Sequence, residues 1–167
     1  MDHNDDNAVE ALFIKVKEEN KGQLDILVNN AYQGVSMIFG MLKDKKKFYE
    51  EDAAKQWDTI NGVGLRNHFL CASHAAKIMV PNKKGLIVNV SSIGGAVYLF
   101  NCAYGSGKAA CDKMASDCAQ ELKNDNVTMV SLWPGPVKTE FIQDNVITPG
   151  KSKIIFGAKI HIHESLD

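Results

Sequence analysis

The sequence predicts an α/β fold: a parallel sheet with right-handed crossovers and helices on both faces. Three observations carry that prediction. Segments with the 3-4 apolar rhythm of helices alternate with short apolar runs, in the order α-β-α-β-α-β. The runs "LDILVNN", "GLIVNV" and "VTMVSLW" are continuous rather than alternating, as strands buried on both faces are. The 167 residues, 45% hydrophobic and 23% charged, suit one soluble domain with a real core.

In chain order, residues 5–20 read as an amphipathic helix with Val9, Leu12, Phe13 and Val16 on its buried face, stopped at Gly22. The first apolar run follows. A loop holding Gly34, Gly40 and the lysines at 43 and 45–47 leads to a second helical region over roughly 52–80. Its apolar positions are Trp57, Ile60, Val63, Phe69 and Ala76, and Pro81 ends it. After the second run comes the polar, Gly-rich stretch "SSIGGAVYLFNCA". A third helix over about 104–123 carries the stripe Cys111, Met114, Ala115, Cys118 and Leu122. The last run closes at Pro134-Gly135-Pro136.

The net charge of −1 implies no pull toward nucleic acid or an anionic membrane, and the lysine cluster reads as a solvated face. The start, "MDHNDDNAVE", is unlike a signal peptide, and no apolar run approaches the roughly 20 residues of a transmembrane helix. Four cysteines at no metal-like spacing read as reduced thiols of a cytoplasmic-type compartment, so Asn-x-Ser/Thr at Asn89 and Asn126 carries little weight. No metal is expected: His161 and His163 alternate near the end without a third ligand.

Ligands of parallel sheets bind beyond the carboxyl ends of the strands. Here those ends are Asn29-Asn30, Ser91-Ser92 and Pro134-Gly135, so the polar residues gather at one edge. In "YGSGK", Tyr104 and Lys108 stand one helical turn apart on the same face. An ammonium there favours the phenolate and lowers a pKa that is otherwise near 10. A serine of the preceding loop is placed to hold a substrate oxygen near the phenol. Asn61, in "INGVG", sits where Asn and Gly both disfavour a helix, which suggests either a local opening or a close packing site. Thr139 reads as the N-cap of a short helix after "PGPVK". "GSGKA" lacks the earlier glycine and the Ser/Thr of a phosphate loop, and no serine has the frame of a nucleophile elbow.

Together "LDILVNNAY", "IN" at Asn61, "GLIVNVSS", "YGSGK" and "PGPVKTE" resemble the short-chain dehydrogenase/reductase family, in its order and approximate spacing, over residues 22–142. The resemblance implies part of a Rossmann-like, doubly wound sheet, the family's fourth, fifth and sixth strands, over residues 1–145. It leaves 146–167 as an atypical, poorly ordered tail. It implies Tyr104 as acid/base, Lys108 as its pKa depressor and ribose ligand, and Asn61 in the proton relay. Ser92 positions the carbonyl; the thirteen-residue gap common in the family would select Ser91. NADP or NAD would lie along Asn29, Asn30 and Ala31, with Pro134, Gly135, Val137 and Thr139 at the nicotinamide and Asp2 toward the adenine. A small carbonyl or alcohol is the implied substrate. A homo-oligomer and association with the endoplasmic reticulum are also compatible with the family.

The family's T-G-x-x-x-G-x-G turn, which cradles the pyrophosphate, does not occur in these 167 residues. Two expectations follow: a carbonyl reductase, or a truncated, catalytically silent form acting at most as an interaction module.

Overall fold

The computed structural model describes residues 1–135, 137 and 140. Thr139, His161, His163 and the tail from 146 lie outside the described residues. The chain divides into two units, Met1–Trp133 and Pro134–Asp167. In the second, Pro134, Gly135 and Val137 are exposed.

The first helix, α1 (Asp6–Glu19), starts where the Asp5 carboxylate accepts from the amides of Asn7 and Ala8. It ends where Lys21 and Gly22 both take positive φ and their amides close back on Glu18 and Lys17. Strand β1 (Ile26–Asn29) follows, then α2 (Val35–Lys43) and α3 (Ala53–Asn61). Helix α3 passes directly into a π-helix, Gly62–Asn67, and on into α4 (His68–Met79). Then come β2 (Gly85–Val90), a single 3₁₀ turn at Ile93–Gly95, α5 (Cys102–Glu121) and β3 (Val127–Leu132).

The three strands are parallel and ordered β1-β2-β3, with Asn29 opposite Asn89 and Val88 opposite Val130. This is the expected α/β architecture. One core joins Val9 and Phe13 of α1, Ala72, Ala75 and Met79 of α4, and Ala115 of α5 to Ile87, Val127 and Met129 of the sheet. A smaller cluster of Ile38, Ile60, Ala103 and Tyr104 lies under the site described below.

Several positions differ from the sequence expectation. Gly40 lies inside α2 rather than in a loop, because Ile38 and Met41 bury one face of "VSMIFGML". Ile26 and Val28 are exposed, since β1 has a sheet partner on one side only among the described residues. Leu12 is at the solvent edge of α1. Trp57 is exposed because α3 buries the face of Gln56 and Ile60, and Phe69 is exposed past the π-turn, which shifts the helical rhythm. Past that insertion the buried stripe runs through Asn67, His68, Cys71, Ala72 and Ala75 instead. Helix α5 starts two residues before Tyr104, because Asn101 caps it.

Candidate active site

Asn101 accepts from the Tyr104 amide at 2.9 Å, which places Tyr104 in the first turn of α5 and Lys108 one turn later. Both are buried, 8% and 7% exposed. Phe100 packs edge-on to the Tyr104 ring at 4.9 Å, and Tyr32 does so at 6.1 Å. The Lys108 ammonium donates to the Val90 carbonyl at 3.0 Å, at the end of β2.

The two serines separate cleanly. The Ser91 hydroxyl donates to the Lys108 carbonyl at 3.1 Å and helps seat α5 on the sheet edge. Ser92 turns the other way: its oxygen accepts from the Gly94 amide, and its side chain draws the Tyr104 pKa down. Burial pushes the phenol above its ordinary pKa, with Ser92 pulling it back. Lys108 is pushed down, again by burial first. Burial is thus the first cause of the phenol's upward shift, and the Lys108 ammonium is directed at Val90.

Asn61 ends α3 and opens the π-helix, whose wider turn is the local opening that "INGVG" suggested. Its amide donates to the Ala103 carbonyl at 3.1 Å, and a Cβ at Gly107 would stand 1.8 Å from its Oδ1. Glycine at 107 thus lets α5 approach Asn61, so the spacing serves packing as well as opening.

At the end of β1, both hydrogens of the Asn29 side-chain amide are engaged. Its amide donates to the His68 carbonyl at 3.1 Å and to Asn89 at 2.9 Å. Asn30 is exposed, and the Ala31 carbonyl accepts from His68 Nε2 at 3.0 Å. Since a carbonyl only accepts, Nε2 carries the proton and Nδ1, which has no partner, does not. Burial lowers the His68 pKa from 6.5 to about 4. Asp2 is exposed, and its Oδ1 accepts from the backbone and side-chain amides of Asn4.

His68 makes a stability prediction. The folded pKa lies below the unfolded one, so the unfolded chain binds the extra proton between about pH 6.5 and 4. Its contribution is complete above that window and lost as pH falls through it. At pH 5 the loss is expected to be about 2 kcal/mol relative to pH 7. Urea unfolding at the two pH values, with the His68 ring followed by NMR, checks it. An imidazole titrating near 6.5 with unchanged stability would overturn it.

Two participants escaped sequence reading. Tyr32 stands directly after Asn29-Asn30-Ala31, and His68 closes the run that begins at Asn61. Their signal was position beside a motif, with no residue type that announces chemistry. Among the described residues no cluster of His, Cys, Asp or Glu could hold a metal, and no helix is long and apolar enough to cross a membrane.

A family model described as short chain dehydrogenase matches residues 1–149. Dehydrogenase/reductase SDR family member 1 of Mus musculus is 52% identical over 143 residues, covering 86% of this chain and 45% of the relative. The protein of that name from Homo sapiens is 49% identical over 145 residues, covering 87% and 45%. The chain therefore spans about half the length of these curated relatives. Among solved structures, a metagenomic short-chain oxidoreductase in complex with NADP matches with a TM-score of 0.66 at 26% identity. That match covers 81% of this chain and 57% of the other.

Proposed function

Because the chain belongs to the short-chain dehydrogenase family, we propose that it carries the acid/base centre of an NADP- or NAD-dependent oxidoreductase that interconverts a carbonyl and an alcohol. The observation that carries this reading is the buried Tyr104 phenol, one helical turn from Lys108 and influenced by Ser92, at the carboxyl edge of a parallel sheet. Burial keeps the phenol protonated through the neutral range. That suits donation of its proton to a carbonyl oxygen, with the Ser92 hydroxyl binding the same oxygen. Lys108, held at Val90, and the π-turn at Asn61 form the route by which the phenolate regains a proton.

The donor set fits the nicotinamide-ribose end of a dinucleotide: an ammonium, a phenol and the exposed backbone after β1 at Asn30. The bound cofactor would supply the hydride. Lys108 would hold the ribose, with Asn30 and Ala31 alongside. Pro134, Gly135, Val137 and Thr139 are proposed on the nicotinamide side by family alone. The substrate is a small carbonyl compound or alcohol. The four unpaired cysteines support a reducing, cytoplasmic compartment.

The test uses NADPH deuterated at the transferable C4 position with 4-nitrobenzaldehyde as carbonyl probe. Deuterium should appear on the benzylic carbon of the alcohol; its absence from product would remove the hydride-transfer reading. A second reading is a catalytically silent chain. It predicts no saturable NADPH binding in the micromolar range by calorimetry. Micromolar binding sinks it.

A further inference from the structure

We propose that Tyr32 is a positioning residue of this site, its ring face holding the Lys108 ammonium beside the Tyr104 phenol. The chemistry it serves rests on the oxidoreductase reading above; the ring–ammonium pairing itself does not.

Lys108 Nζ lies 4.9 Å from the Tyr32 ring centroid, nearer than its 5.9 Å to the Tyr104 ring. Both fall inside the distance at which a cation is drawn to an aromatic face, and the attraction grows when the cation is desolvated. Lys108 is 7% exposed. Among the described residues it forms no salt bridge, and its one hydrogen bond from Nζ goes to the neutral Val90 carbonyl. The groups that face it are few. From α5 they are Tyr104, Cys111 and Asp112; from α4 it is His68, neutral at physiological pH. Burial keeps the Cys111 thiol protonated. Asp112 Oδ1 accepts from both the Ser131 hydroxyl and Trp133 Nε1, and its charge raises the Lys108 pKa. The Tyr32 face, 4.9 Å from Nζ, adds its negative potential to that of Asp112.

Tyr32 is also built in. A Cβ at Gly64 would stand 2.4 Å from its Cδ2 and 2.6 Å from its Cε2. A Cβ at Gly34 would stand 2.7 Å from its hydroxyl oxygen. Two glycines on separate elements therefore form a slot that only this ring fills, and the slot turns the ring edge toward Tyr104 at 79°. The hydroxyl has no hydrogen-bond partner and is buried, and burial raises its pKa well above 10. The ring, and not the hydroxyl, does the work.

The experiment places phenylalanine and then 4-fluoro-, 3,4,5-trifluoro- and pentafluorophenylalanine at position 32 of the intact chain. Fluorine withdraws the negative face while the ring keeps its shape, so folding is preserved across the series. The titration of Lys108 is read from the ¹³Cε NMR signal that disappears in Lys108→Met. Tyr32→Phe should leave the Lys108 midpoint within about 0.3 pH unit, and the fluorinated rings should lower it stepwise to about one unit at pentafluorophenylalanine. A flat series overturns the pairing. In turnover of 4-nitrobenzaldehyde with NADPH, the alkaline limb of kcat/KM should move down by the same interval. A limb that stays put while the NMR midpoint moves overturns the positioning role. If no variant consumes NADPH but the midpoint still steps down, the oxidoreductase reading fails alone and the ring–ammonium pairing stands.

Discussion

Tyr104→Phe is expected to lower kcat/KM by about 10²- to 10⁴-fold, the range general acid–base groups contribute. The substitution removes one oxygen and leaves the ring. Its edge-on contacts with Phe100 at 4.9 Å and Tyr32 at 6.1 Å persist, so the first turn of α5 stays in place. Lys108 keeps its bond to Val90, because that bond does not involve the phenol. Affinity for NADPH should therefore change less than about threefold, roughly 0.7 kcal/mol. Only the proton that goes to the carbonyl oxygen is lost. Steady-state kinetics with a parallel cofactor titration check this. Activity within tenfold of the parent protein would take Tyr104 out of the acid/base role.

Ile60→Ala is expected to cost about 3–4 kcal/mol of folding stability, the middle of the range for buried aliphatic truncations. Ile60 is completely buried in the cluster with Ile38, Ala103 and Tyr104, with Tyr32 and Phe100 packed around it. Its backbone also abuts Gly34, whose position is set by the Tyr32 ring. The surrounding groups are rings and helix backbone that cannot collapse into the space, so the cavity term is retained. Urea unfolding measures the loss. A change below about 1 kcal/mol would show that this cluster repacks freely. Because Ile60 backs Tyr104, activity should fall in the folded variant as well, which ties the small core to the chemistry.

Much of the fold is legible in the chain because its signals are local. Asp5, Gly22 and Pro81 mark helix ends by capping, by positive φ and by a missing amide. The apolar runs mark all three strands, and the alternation with helices makes them parallel. Tyr104 and Lys108 share a helix face whatever surrounds them. Trp57 was misread because α3 buries the face of Gln56 and Ile60, and Phe69 because a π-turn shifts the stripe, which no residue between them states by itself. Helix α2 was hidden by Gly40, whose low helix propensity is overridden once Ile38 and Met41 find a core.

The choice between Ser91 and Ser92 could not be made from spacing, since the two hydroxyls differ only in direction. The Ser91 hydroxyl is directed at the Lys108 carbonyl, whereas the Ser92 oxygen takes the Gly94 amide and its side chain lowers the Tyr104 pKa. Tyr32 is the sharper case. Its sequence neighbours place it at a strand end, but its contacts come from Gly34, Gly64, Tyr104 and Lys108 on separate elements. By itself the sequence determined the three strands and the helices between them other than α2 and the π-turn, how the strands run, and which side chains stand beside the sheet edge, because periodicity and capping act within a few residues. Only the tertiary structure decided which serine acts on the phenol, which ring faces the ammonium and which way burial moves each pKa. Those are properties of approach and desolvation, which exist only once distant segments have packed together.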